Sequence, residues 1–206
     1  MVSVADVSTV IFAPHVDDEV LGCFSFLTAG THVVYGGIED RPTVAVRREE
    51  AEASSKALGF TWESLKQPVL EYVASDLIGL FESIIIEHEP TTVLIPDASY
   101  NQDHRAFYDA GLIATRPHDT LPRVDRVLIY EQPHSIIWPV DQPAPTPNVF
   151  VPIDADAKVG AYERYASQVR GHRSPDAVRA LAEFRGAHIG SPAAEAFFLK
   201  RLVINS

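Results

Sequence analysis

The chain has 206 residues, 46% of them hydrophobic, a length that suits one large domain, 1–206, with a sizeable core. Its formal charge of −11 excludes the basic face of a nucleic-acid binder and leaves small molecules as the expected partners. A single cysteine, Cys23, excludes an intrachain disulfide and suits a reducing compartment.

The opening "MVSVADVSTVIFAP" has neither a basic n-region nor a long apolar core, so it does not read as a signal peptide. The longest apolar runs, "VLIP", "SIII" and "AFFL", fall far short of the roughly 20 residues of a membrane span. The expected location is the cytoplasm, with no membrane span.

In chain order, "STVIFA" (8–13) is a buried strand ended by Pro14, and "THVVYGG" (31–37) is a second strand closed by two glycines. "TVAVRREEAEASSKALG" (43–59) is a helix that Thr43 caps and Gly59 ends in a left-handed residue. "SDLIGLFESIIIEHEP" (75–90) repeats an apolar i, i+3, i+4 pattern through Leu77, Leu80, Phe81, Ile84 and Ile85. "TTVLIP" (91–96) is a buried strand, a helix follows over 101–115, and "RVLIYE" (126–131) is a further strand. Four prolines in "PVDQPAPTPN" (139–148) make a surface loop. Helices are expected over 154–169 and 174–186, and both Ser174-Pro175 and Ser191-Pro192 read as helix starts. Alternating strands and helices argue for a doubly wound, parallel α/β sheet, and continuous apolar strands argue that both its faces are covered.

In such a sheet, ligands bind outside the carboxyl ends of the strands. "PHVDDE" (14–19) follows the first strand there, and "PDASYNQDHR" (96–105) follows another. Alone, the first is the solvated start of a helix, whose dipole favours acidic residues. It also fits a magnesium-binding phosphoacceptor pocket, for which Asp97 is present but no well-placed lysine is. Taken together, the two turns supply His15, Asp18 and His104, two imidazoles and a carboxylate, which leave an open position on a catalytic zinc. Asp17 then serves as the proton acceptor for water, and Asp103 orients a histidine ring.

These motifs resemble the LmbE-like, PIG-L-type zinc-dependent N-deacetylases. "PHVDDE" is similar to their Pro-His-Pro-Asp-Asp-Glu, and "NQDH" (101–104) to their His-Pro-Asp-His. "RREEAEASSKALG" (47–59), "KVGAYERYASQ" (158–168) and "RGAHIGSPAAEAF" (185–197) resemble three further family segments, the first of them giving Arg47 and Glu50. The resemblance implies a Rossmann-like, mostly parallel sheet flanked by helices. It implies metal ligands His15, Asp18 and His104, Asp17 as general base, and zinc as cofactor, iron(II) being the alternative for the same ligands. The implied reaction removes an N-acetyl group from an N-acetylglucosamine-type sugar or glycoconjugate, giving free amine and acetate. The alternatives are an amidase acting on a larger N-acyl or thiol-conjugate substrate, and a catalytically idle metal- or sugar-binding module. A homo-oligomer is left open.

The chain departs from the family pattern in three places. Val16 replaces a proline, and Phe24 and Ser25 stand where glycines are frequent, which is expected to narrow the pocket. Asn101 replaces a histidine, and as a hydrogen-bond donor it suits an oxyanion but cannot shuttle a proton. Arg47 either pairs with Glu50 or reaches substrate, and His134 follows a strand where it can line the pocket. Tyr100, His172 and His188 are weaker candidates, and Cys23 reads as a small buried residue.

Overall fold

The computed structural model describes residues 7–38, 44–139 and 146–204. Seven strands form one sheet in the order β3-β2-β1-β4-β5-β7-β6. They are β1 (Thr9–Ala13), β2 (Thr31–Tyr35), β3 (Thr61–Ser64), β4 (Thr92–Pro96), β5 (Arg126–Tyr130), β6 (Val149–Pro152) and β7 (Ala194–Leu202). The first five pair in parallel, whereas β7 is antiparallel to both β5 and β6. The helices are α1 (Asp18–Cys23), α2 (Val44–Leu58), α3 (Ala74–His88), α4 (Gln102–Ala114), α5 (Pro133–Ile137), α6 (Ala155–Tyr162) and α7 (Pro175–Ala187). The α/β, mostly parallel sheet expected from the sequence is the observed one. Among the described residues no helix is long and apolar enough to cross a membrane.

The side-chain period of 2 along a strand assigns β1 to both layers. Ile11 and Ala13 join a core built with α1, α2, α6 and α7, while Val10 and Phe12 join one built with α3 and α4. Phe12 stacks on Phe81 of α3, with centroids 3.9 Å apart, and Phe107 of α4 meets Phe81 edge-on at 5.0 Å. β1 lies between β2 and β4, so the chain leaves it first to one side and later returns on the other. The carboxyl ends of β1 and β4 therefore flank the switch point, where open α/β sheets hold ligands.

Gly59 ends α2 at φ 89°, as its place after "KAL" requires. Gly22 has a packing reason: a Cβ there would lie 2.3 Å from Tyr130 Cδ2 and 2.8 Å from the Glu131 carbonyl. The expected capping by Thr43, and 140–145 of the proline-rich loop, lie outside the described residues.

The C-terminal third differs from the sequence reading. The helix expected over 154–169 stops at Tyr162, and a 3-10 turn follows at Ala166–Gln168. The helix yields to a long-range contact: Glu50 of α2 accepts from Ser167 N at 2.8 Å and from Ser167 Oγ at 2.6 Å. Ser191-Pro192 starts no helix but leads into β7, whose first four residues are buried between β5 and β6. The edge strands β3 and β6 are short and half-buried, so they carry no clear apolar alternation.

Phe24 and Ser25 sit in a 3-10 turn, Phe24–Phe26, after α1. Their amides donate to the two carboxylate oxygens of Glu195 on β7, at 2.8 and 2.7 Å. Lys158 of α6 closes the group, donating from Nζ to Glu195 Oε1 and to the Leu21 carbonyl, both at 2.7 Å. The pair is buried, so removing one charge strands the other. Lys158→Met is expected to destabilise the fold by about 3–5 kcal/mol in urea unfolding. A loss below about 1 kcal/mol would show that Glu195 needs only the two amides.

Candidate active site

The chain turns sharply after β1. Asp17 has φ 106° and ψ −18°, a conformation that non-glycine residues rarely adopt, and it precedes α1. The turn is held from several sides. His15 N donates to Asp18 Oδ2 at 2.8 Å, Leu21 N to the Asp17 carbonyl at 3.0 Å, and Asp17 N to Glu19 Oε2 at 3.2 Å. Tyr72 O–H anchors the Pro14 carbonyl at 3.1 Å. Val16 points into the core at 3% exposure, so its replacement of proline is a packing matter.

On the other side of the switch point, Asn101 caps α4, its Oδ1 accepting from Asp103 N at 2.9 Å. The first turn of α4 then presents Asp103 and His104, both buried.

The two turns meet at one atom. Asp18 Oδ2 lies 3.4 Å from His15 Nδ1 and 3.4 Å from His104 Nε2. The other ring nitrogen of His15, Nε2, donates to Asp103 Oδ2 at 2.9 Å, and that oxygen also accepts from Leu70 N at 2.8 Å. Ligands about 2.0–2.1 Å from a tetrahedral centre stand about 3.3–3.4 Å apart, so this spacing fits a small divalent ion. The donor set of two imidazoles and a carboxylate suits zinc or iron(II). A carboxylate behind a ligating histidine is the usual support of such a site.

The adjacent aspartates are both buried yet titrate in opposite directions. Burial alone would raise Asp18, but His104 and His15 outweigh it and hold the carboxyl well below the usual carboxylate range. Burial lifts Asp17 well above that range, against the pull of Arg173, whose Nη1 donates to Asp17 Oδ2 at 3.1 Å. Burial pulls the His15 imidazole down, but Asp103 and Asp18 prevail and push it up to about 10. Burial lowers His104 to about 3 and His134 to about 4, so both rings are neutral.

A cleft of about 230 Å³ opens over this group. His15, Asp17, Asp18, Asn101 and His104 form its floor, and His134 of α5 reaches it with Nε2 2.9 Å from Ser99 Oγ. Arg47 lines it as well. With the Gln168 amide oxygen turned toward it, Arg47 Nε donates at 2.8 Å. Tyr100 and His172 also line the cleft, whereas His188 packs on Phe150 and Phe184 away from it. Phe24 and Ser25 do not line it, contrary to the expected narrowing. Two participants escape sequence reasoning. Arg173 lies 156 positions from Asp17 in an unremarkable "GHRSP", and Tyr165, whose hydroxyl donates to Glu19 Oε1, lies 146 positions away. No local pattern marks Arg173, and although Tyr165 lies in the family-like "YASQ" run, nothing there names Glu19 as its partner.

No family model and no curated protein matches the sequence. Several solved structures do match over nearly the whole chain. The conserved protein TT1542 from Thermus thermophilus is 22% identical, with a TM-score of 0.75 over 97% of both chains. The zinc-inhibited form of teicoplanin deacetylase Orf2 is 19% identical, with a TM-score of 0.73 over 93% of this chain and 97% of that one. The chain shares their fold. GalB, the 4-carboxy-2-hydroxymuconate hydratase from Pseudomonas putida KT2440, shares it too, at 21% identity and a TM-score of 0.70 over 97% and 98%. The shared fold thus carries at least two chemistries, and the site has to decide between them.

Glu19 gives the site a pH signature. Burial, opposed by the Tyr165 hydrogen bond, raises its carboxyl from 4.5 to about 7. The folded chain holds a proton there that the unfolded chain releases, so stability falls as pH rises from about 4.5 through 7. With divalent ions chelated, Glu19→Gln is expected to flatten this fall and to gain up to about 3 kcal/mol at pH 8. Urea unfolding at pH 5 and pH 8 measures it, and parallel curves for the two proteins would mean that Glu19 folds ionised.

Proposed function

We propose that the cleft is the active site of a metal-dependent hydrolase. It removes the N-acetyl group from an acetamido sugar or a related acetamido substrate, giving free amine and acetate. One observation carries the reading: Asp18 Oδ2 sits 3.4 Å from both imidazoles while its neighbour Asp17 is turned to a separate partner. A ligand trio alone would serve a binding module, which has no use for a second buried carboxylate. The fold shared with a teicoplanin deacetylase supports the reading. We assign zinc, with iron(II) as the alternative.

A divalent ion held by His15, Asp18 and His104 supplies Lewis acidity and brings the pKa of water toward 7. The chain's own groups divide the remaining work. Asp103 fixes His15 through Nε2 and so leaves Nδ1 for ligation. Asp17 takes the proton from the water that attacks the acetamide carbonyl. Arg173 holds one of its oxygens, and burial raises the carboxyl above the ordinary carboxylate range, which favours its holding the proton it has taken. Asn101 has its Oδ1 committed to the Asp103 amide, so it offers the cleft its NH₂ group, a donor for the oxyanion that develops on the carbonyl oxygen. When the C–N bond breaks, protonated Asp17 returns the proton to the amine nitrogen.

Released amine from a panel of N-acetylated sugars and conjugates tests the reaction. Chelation is expected to stop release and added zinc to restore it. Asp17→Asn keeps the shape and tolerates positive φ. It is expected to cut turnover by about 10²–10⁴-fold while the zinc content stays the same, and full activity would remove Asp17 from its role. Asp103→Asn is expected to weaken zinc binding by about 10–100-fold, read by competition with a chromogenic chelator. Unchanged affinity would mean that His15 needs no support.

A further inference from the structure

A second convergence of ligand atoms lies on the β2–β3 side of the sheet and shares no residue with the lining of the cleft. His32 is the second residue of β2, Glu63 the third of β3, and His88 the last of α3. One ligand atom from each lies within 4.8 Å of the others. The His32 and His88 rings are 4.4 Å apart, tilted by 33°.

His32 Nδ1 lies 2.8 Å from Thr61 Oγ1, and its Nε2 lies 3.3 Å from Glu63 Oε1. The ring thus joins β2 to β3 through one nitrogen and presents the other to the Glu63 carboxylate. His88 contributes a further sign: its Nδ1 is closed off from solvent and has no hydrogen-bond partner among the described residues. The Glu63 side chain is 41% exposed, which leaves an entry path and room for a water ligand.

We propose that His32, Glu63 and His88 form a second divalent-metal site, separate from the cleft. Two imidazoles and one carboxylate select zinc and its neighbours cobalt and nickel over magnesium and calcium, which take oxygen ligands. Three protein ligands from three elements clip the carboxyl end of α3 to the β2–β3 edge. The role is therefore structural, and turnover in the cleft does not depend on it.

Cobalt(II) content per chain after equilibrium dialysis, with the ligand-field absorption of the bound ion, tests the site. The wild-type chain is expected to hold two equivalents, Glu63→Gln and His88→Asn one each with turnover retained, and Asp18→Asn one. A wild-type stoichiometry of one that is lost in Asp18→Asn and unaffected by Glu63→Gln would overturn the proposal and leave His32 and Glu63 as an ion pair. A single equivalent that survives Asp18→Asn and disappears in Glu63→Gln would support it while removing the metal from the cleft, so the two readings fail separately. Unfolding curves in chelator show whether Glu63→Gln and His88→Asn fold as the wild type does. If they do and both still bind two equivalents, the proposal fails.

Discussion

Three acidic side chains in succession leave water at the end of β1, and the arrangement of the rest of the chain answers that cost. Asp17, Asp18 and Glu19 are each at most 2% exposed. An isolated buried carboxylate is prohibitively expensive, so each needs a partner, and few are available nearby in the chain. Asp18 finds His104 on α4 as well as the adjacent His15. Asp17 finds Arg173 before α7, and Glu19 finds Tyr165 after α6. Three separate returns of the chain to one turn are thereby required. The C-terminal third, which adds an antiparallel strand to an otherwise parallel sheet, supplies two of them.

The same constraint explains segments that carry no ligand. Glu50 draws in Ser167, Arg47 meets Gln168, and Lys158 meets Glu195, which in turn caps the turn after α1. These residues lie in the "RREE", "YASQ", "KVGAY" and "AEAF" segments that resemble the deacetylase family. Their contacts brace the C-terminal segments against the layer that carries the acidic turn. Most of the resemblance beyond the two ligand turns is thus structural in its physical content.

Legibility in the sequence follows the range of the interaction. β1 and β4 are plain because they are central and buried on both faces, and their apolar runs are continuous. The candidate trio His15, Asp18 and His104 is plain because each half is a local cluster at a strand end. Asp103 is readable as a histidine orienter, although which ring it holds, His15 across the switch point rather than its neighbour His104, depends on the fold. Arg173 and Tyr165 depend on contacts 156 and 146 positions away, for which periodicity gives no signal. The end of α6 at Tyr162 and the strand after Pro192 escape for a related reason: local propensity and a capping dipeptide are overridden by tertiary packing.

The positive φ at Asp17 connects this economy of partners to chemistry. A turn with ordinary dihedrals would be cheaper, since such strain costs about 1–3 kcal/mol. It persists because the amides and carbonyls on both sides of Asp17 are bound, and its effect is to send neighbouring carboxylates to different partners. Asp18 goes to two imidazoles and is held ionised, while Asp17 goes to a guanidinium in a dry pocket and is lifted. Environments that push two titratable neighbours apart mark separate acid–base assignments. A fold shared by a deacetylase and a hydratase does not choose the reaction by itself. In this chain the distinguishing features are the division between the two aspartates, an asparagine whose oxygen is already committed, and a His134 kept neutral by burial.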